Sequence, residues 1–465
     1  MNFSRAAISA AFATLVAASC CAAEMREIRL PLGVTPYDFI VYHPEQSFDQ
    51  RFLNDLSKRG DRYNDHFQVI WDDRRRLMYA FWTQGSWEGA PDIHVCFSKS
   101  ADKGATWTPP ILLAGSETRR NPRPKAYYQQ PMLTKSGRLY CLWHEQFVAR
   151  GYLGSYSDDA GETWSPPQVM GVRRMDQDPT DYRFSANWIN WQRPLRIGRE
   201  GRFFVAASRH GKAPYDAMSG CKVEFWEFLN IDDDPEVSSI RLDYFATNRQ
   251  ALSVDRLAMK DYFRPTGNYA SGGREGPAIE EASIVKLPDG RLFALMRSSI
   301  GHPVWSQSRD DGRTWSDLKP LRDRDGGTLY LHSRSPCPIY DRHGESAASG
   351  EYFSFVHNAF DFTKDTAARQ PRRQLYLIAG RFVPDAEQPI AFSTPKLFAP
   401  RHYGNAFYTS YTVVDGEGVL WFPDVKYYLL GRKIDDSWWC DCPIPPAPQR
   451  KPEPRGCRVA AGGAI

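Results

Sequence analysis

The chain has 465 residues with 59 Lys and Arg against 55 Asp and Glu, and the resulting net charge of +4 excludes the strong basic field of a nucleic-acid binder, though not a local basic patch for an acidic sugar. Glycine and proline at 34 each, with 14 Trp and 14% aromatic residues, describe a turn-rich, all-β chain with aromatic faces to spare for sugar stacking. Apart from the leader, no apolar run is long enough to span a bilayer.

In chain order, residues 1–23 read as a secretory signal peptide: a short polar start, a small apolar run over 6–18, and Ser19-Cys20-Cys21-Ala22-Ala23 as the cleavage region. Cys20 or Cys21 would allow a lipid anchor instead. Either 27–32 or 39–42 could be a strand, and 47–59 reads as a short amphipathic helix. Pairs of apolar runs flanking a turn then recur: 67–71 with 77–82, 131–133 with 139–143, 194–197 with 203–207, and 283–287 with 292–296. Two triplets follow, 338–340, 352–356 and 375–379, then 411–414, 419–422 and 427–430. Between the third and fourth pairs, 240–245 resembles a strand and 251–262 a short helix. From 443 to the end the sequence is Pro-rich without apolar period and reads as a disordered tail. The seven cysteines beyond the leader (96, 141, 221, 337, 440, 442, 457) are odd in number and scattered, so no disulfide framework is legible, and Cys96 and Cys141 sit in strand patterns as buried thiols.

An eight-residue pattern, S-x-D-x-G-x-T-W, occurs at 100–107, 157–164 and 308–315. The Asp carboxylate can accept backbone N–H groups, Gly supplies a positive φ, and Trp buries its ring under the turn. Each copy follows an apolar run, which places it at a hairpin turn late in a small sheet.

This pattern is the Asp-box or BNR repeat, and the chain resembles the sialidase superfamily. The resemblance implies an all-β, six-bladed β-propeller over 24–442, with the Asp-box turns on the outer rim and strands from both ends of the chain closing the ring. A seventh blade in 230–275 is the alternative. In such a wheel the first strand of each blade lines the axis. Aligned on the turns K-S-G-R-L and L-P-D-G-R-L, one axial slot holds His66, Tyr128, Gln192 and Glu281, with Tyr408 as the nearest equivalent in the last blade. The second slot holds Trp82, His144, Ser208 and Arg297, with His357 in blade five. So polar a hub signals a ligand site.

The resemblance is strongest over 280–315, where a Glu, an apolar strand, a D-G turn and an Arg follow in the family's order. It implies that Tyr408 is a nucleophile activated by Glu281, and that Arg297 and Arg373 (Arg372 being the rival) bind the substrate carboxylate. Glu88 lies as far before its Asp-box Trp as the family's acid/base Asp, but it is a Glu, and Asp92 is nearby. The remaining slot residues, His66, Tyr128, His144, Gln192 and His357, become substrate-binding candidates. The family's first arginine is missing, since the segment reads Asn64-Asp65-His66. That departure argues for an acidic sugar other than sialic acid, such as a uronic or ulosonic acid. Three activities are therefore expected in order: an exo-glycosidase on an acidic oligosaccharide or polysaccharide, a polysaccharide lyase using His and Tyr on uronates, or a non-catalytic glycan binder. No cofactor is implied, and the histidines lack metal-ligand spacing.

Overall fold

A computed structural model describes residues 34–44, 61–115, 125–145, 152–176, 178, 188–210, 221–257, 278–345, 347–357, 372, 374–400 and 407–442. The leader, the 47–59 helix and the Pro-rich tail lie outside the described residues.

Six antiparallel sheets form the blades of a β-propeller. Blade one is Tyr63–Asp72, Leu77–Gly85, His94–Ser100 and Ile111–Gly115. Blade two is Ala126–Leu133, Leu139–Glu145, Tyr152–Ser157 and Gln168–Val169. In blade three the inner strand is broken into Trp188–Ile189 and Leu195–Ile197, both paired to Arg202–Arg209, with Lys222–Phe228 and Leu242–Phe245 outside. Blade four is Ile279–Lys286, Leu292–Ser298, Val304–Ser308 and Lys319–Pro320. Blade five runs Ile339–Asp341, Glu351–Val356 and Leu375–Phe382, the last paired to both Ile390–Phe392 and Lys396–Ala399. Blade six is Ser410–Val414, Glu417–Asp424 and Tyr428–Lys433, and its outer edge is completed by Phe39–Tyr42 from the other end of the chain. Of the two candidate closing strands, 39–42 therefore closes the ring. The expected strand near 240–245 is the outer strand of blade three, so it founds no seventh blade. Within 251–262 the described part holds a single 3₁₀ turn, Val254–Arg256, in place of the expected helix.

Alternation along each strand sends one face to each neighbouring blade, so the core is a set of layers between blades. Phe67, Val69, Met78 and Trp82 of blade one interleave with Val414, Val419, Trp421 and Leu429 of blade six. Equivalent layers join blades one and two, two and three, three and four, and four and five.

The three Asp-boxes share one geometry at the turn between third and fourth strands. In the first, Asp102 accepts Ser100 Oγ at 2.8 Å, the Thr106 N–H at 2.8 Å and Thr106 Oγ1 at 2.6 Å, while Trp107 Nε1 donates to the Gly104 carbonyl at 3.0 Å. Asp159 and Asp310 repeat the carboxylate pattern. The glycines have φ of +93°, +81° and +82°, and a Cβ on them would meet Trp421, Phe97 and Phe204 at 2.5, 2.3 and 2.4 Å, each a residue of the preceding blade. The box is thus a weld between blades, and Gly is required both for its conformation and for the close approach. Among the cysteines, 96, 141, 221, 337 and 442 are buried and Cys440 is exposed.

Candidate functional site

The inner strands of blades one, two and four each carry a bulge, with the pairing slipping between Asp65 and Gln68, Tyr127 and Gln130, and Glu280 and Ala282. At each bulge a non-glycine residue takes the left-handed backbone: His66 (φ 52°), Tyr128 (φ 53°) and Glu281 (φ 57°). Such a residue costs about 1–3 kcal/mol and persists only where its surroundings hold it. A bulge re-aims a side chain that regular pleating would send into a blade interface. Neighbouring blades supply the restraint. The Glu281 N–H donates to Ser208 Oγ of blade three at 2.6 Å. Gln129 of blade two donates to the carbonyls of His66 and, at 3.2 Å, Phe81, while Thr83 Oγ1 donates to Gln129 Oε1 at 2.9 Å. Tyr408 enters from blade six, where its carbonyl accepts the Phe67 N–H at 3.0 Å.

These elements bring three of the sequence candidates into contact. Tyr408 Oη donates to Glu281 Oε1 at 2.7 Å; Arg297 Nη1 lies 2.7 Å from the same oxygen and 3.1 Å from the phenol. All three are buried, at 5%, 1% and 6% exposure. Burial, and then the Glu281 carboxylate, push the Tyr408 phenol well above its usual range against the pull of Arg297 and Arg372. The free site therefore holds a neutral phenol with an acceptor already in place for its proton. His66 packs its ring 4.5 Å from Tyr408 on one side and 4.5 Å from Tyr128 on the other, and Trp191 meets Tyr408 at 5.9 Å. Burial, and secondarily Lys426, keep His66 neutral.

A second layer was not legible in the sequence. Glu280 Oε1 lies 3.1 Å from Arg297 Nε and 2.9 Å from both Nε and Nη2 of Arg334. Burial alone would raise the Glu280 carboxyl, but the two guanidiniums hold it well below the usual range. Lys426, on the turn between Glu417–Asp424 and Tyr428–Lys433, places Nζ 3.0 Å from Asp65, 2.8 Å from Glu88 and 5.6 Å from the centre of the Tyr408 ring. Asp65 also accepts Tyr63 Oη at 3.1 Å, and its burial raises its carboxyl despite Lys426.

Gln192 is a strut between blades: its Oε1 accepts the Ile284 N–H at 2.7 Å. The pairing of Ile189 with Ser208 parallels those of Tyr127 with His144 and Glu280 with Arg297, so Asn190 holds the axial position that the sequence alignment gave to Gln192, two residues on. Blade three's broken inner strand caused that slip. By the same register Thr83, paired with Asp65, replaces Trp82, which fills the layer between blades six and one. His144 is buried opposite Tyr127. The His357 N–H donates to His332 Nδ1 at 3.3 Å, and the two rings lie 5.3 Å apart. Arg373 lies outside the described residues; Arg372 donates to the Arg334 carbonyl at 3.2 Å and acts electrostatically on Tyr408. Glu88 is exposed, with Lys426 as its partner, and its charge reaches Tyr128 and His66. Asp92 is fully buried and accepts the Ser86 N–H at 3.2 Å.

His210, Cys221 and Glu280 bring ligand atoms within 4.8 Å of one another. Glu280 is already clasped by two guanidiniums and burial holds the Cys221 thiol protonated, so this set favours an ion pair over a cation. A separate cavity of about 350 Å³, lined by Trp71, Arg193, Glu345 and Tyr411 among others, opens at the far ends of the inner strands, away from Tyr408.

Six blades, Asp-box welds and a polar hub define a sialidase-like propeller. A family model described as a BNR repeat-like domain matches residues 76–328, more than half of the chain, and the chain belongs to that family. No curated protein matches it. Among solved structures it is similar to a protein of unknown function from Dyadobacter fermentans, at 15% identity and a TM-score of 0.52 over 86% of this chain and 98% of that one. It is also similar to the intramolecular trans-sialidase from Ruminococcus gnavus in complex with oseltamivir carboxylate (14%, TM-score 0.53, 83% and 97% covered). The NanB sialidase from Streptococcus pneumoniae is a third (10%, TM-score 0.55, 86% and 71% covered). At these identities the likeness carries the fold.

Proposed function

We propose that this protein is a retaining exo-glycosidase that removes an acidic sugar from a glycan, with Tyr408 as nucleophile and Glu281 as the base that takes its proton. The observation that carries the reading is the 2.7 Å contact from Tyr408 Oη to Glu281 Oε1, with Arg297 touching both groups. A sugar bearing a carboxylate on or near its anomeric carbon repels an anionic carboxylate nucleophile. A neutral phenol that loses its proton only as it attacks avoids that repulsion, and sialidases are the known tyrosine exception to two-carboxylate glycoside hydrolysis. As the phenol oxygen bonds to the anomeric carbon, its proton passes to Glu281 and the glycosidic oxygen leaves with a proton from an acid, for which Glu88 is the candidate. Water then reverses the first step. Arg297, with Arg372, supplies the planar donors that a carboxylate accepts in pairs. Residues 1–23 would export the chain to where such glycans occur.

The test is a panel of 4-methylumbelliferyl glycosides of N-acetylneuraminic acid, 3-deoxy-D-manno-oct-2-ulosonic acid and glucuronic acid, with product configuration followed by NMR. Release with retention that disappears in Tyr408→Phe and Glu281→Gln supports the reading; equal turnover by those variants removes it. One observation favours elimination as the second reading. His66 is neutral, lies against Tyr408, and its Nδ1 is buried without a hydrogen-bond partner among the described residues. A lyase would produce the ultraviolet absorbance of an unsaturated uronate from uronate glycans, which hydrolysis does not.

A further inference from the structure

We propose that Lys426 is the exchangeable cation of the site: in the free protein it is held by Glu88, and the anionic group of the sugar takes the place of Glu88, releasing that carboxylate to act at the leaving oxygen. This rests on the reading above and identifies how an acidic glycon is recognised without the missing arginine.

The first ground is charge. Around Tyr408 the described cations are Arg297, Arg334, Arg372 and Lys426, and the described carboxylates are Asp65, Glu88, Glu280 and Glu281. The charges balance in number, four against four, so an incoming anion meets no net positive field unless one internal partner gives way. The second ground is which partner can. Glu280, Glu281 and Asp65 have side chains at 0%, 1% and 0% exposure, whereas that of Glu88 is 68% exposed. Pulling a buried carboxylate off its cation leaves an unpaired charge in a poor dielectric; an exposed one is rehydrated at once. The third ground is the mount. Val425 and Lys426 are successive non-glycines in the left-handed region (φ 49° and 57°). The turn is locked to blade one, since the Lys426 carbonyl accepts the Asn64 N–H at 2.8 Å and Asn64 Nδ2 donates to the Tyr427 carbonyl at 2.8 Å. The backbone is fixed while the ammonium sits on a flexible stem with three donors, the combination suited to changing partners, which a fixed guanidinium is not.

The exchange also accounts for the state of Glu88. Partial desolvation favours its neutral acid, but Lys426 reverses this and holds it below the usual carboxylate range. A carboxylate so held is a poor proton donor; once the sugar anion occupies Lys426, the acid form becomes accessible.

The experiment titrates the full chain by calorimetry with N-acetylneuraminic, 3-deoxy-D-manno-oct-2-ulosonic and glucuronic acids, each as the acid and as its methyl ester. The wild-type protein should prefer one acid over its ester, and Lys426→Met should cut that preference on the order of ten- to a hundredfold, as loss of a charge-assisted bond does. Lys426→Arg should restore part of it. Glu88→Gln should tighten the acid severalfold, leave the ester unchanged and slow turnover most on substrates with poor leaving groups. A Lys426→Met protein that keeps the acid preference, or a Glu88→Gln protein that binds the acid more weakly, overturns the exchange while leaving the acidic-sugar reading in place. A wild-type protein that binds no acid in preference to its ester overturns both.

Discussion

The rim and the hub of this propeller both use backbone at positive φ, in different settings. On the rim, three turns each take two successive residues through positive φ, a variable one (Lys103, Ala160 or Asp311 at φ 57°, 61° or 53°) and then the motif's glycine at φ +93°, +81° or +82°, where a Cβ would strike the preceding blade. At the hub, three inner strands also need a positive φ, yet the residues there are His66, Tyr128 and Glu281, all different. Glycine is required at the second of these rim positions because of that close approach, while the residue before it varies. The hub bears the strain of side chains in the left-handed region because those side chains are what it presents. Positive φ alone therefore does not mark the site; what sets the hub apart is that its left-handed residues lie within strands, at bulges, rather than in turns.

The largest effect that would sharpen this contrast is on turnover. Glu281→Gln should lower kcat by roughly 10²–10⁴-fold, the usual contribution of a positioned base, with the Asp-boxes untouched. Next, Arg297→Met should cost about 3–5 kcal/mol of stability in denaturant titrations, because Glu280 and Glu281 would be left buried and under-paired. A smaller loss is expected on acidification. Burial lowers His332 from 6.5 to about 4, so below pH 6.5 the unfolded chain takes up a proton that the folded chain refuses. The His332 share of stability present above 6.5 should fall by about 3 kcal/mol as the pH approaches 4, readable as a drop in Tm that His332→Gln lessens. On the rim, Gly161→Ala should destabilise by about 1–3 kcal/mol, through its φ of +81° and a 2.3 Å clash with Phe97, while leaving kcat/KM of the folded fraction unchanged. A large kcat effect there would break the comparison. The smallest stability change, about 1 kcal/mol, is expected for Ser208→Ala, which removes the 2.6 Å bond holding the Glu281 bulge, and it should reach kcat without altering glycan affinity.

The same contrast explains what could be read in advance. The Asp-boxes announced the propeller because their geometry is local: Asp102, Gly104, Thr106 and Trp107 contact one another within a few residues. Glu281, Arg297 and Tyr408 were reachable because regular blades keep a constant spacing from turn to axis. Blade three breaks that spacing, which is why Gln192 was placed where Asn190 sits. Lys426 and Arg334 left no signal because their partners lie on other blades or loops, and an Arg or Lys in a turn looks the same whether it faces water or a carboxylate; Glu280, paired with Arg297 across blade four, differs from its neighbour Glu281 only through the bulge between them. His332 escaped for the same reason, since its partners Ser335 and His357 meet it only through folded loops.

The most direct measurement uses a sugar acid fluorinated beside its anomeric carbon, which slows release of a covalent glycosyl-enzyme, followed by intact mass and peptide mapping. The account predicts one glycosyl adduct on the phenol oxygen of Tyr408, absent in Tyr408→Phe. An adduct on another residue, or undiminished hydrolysis by Tyr408→Phe, would contradict it.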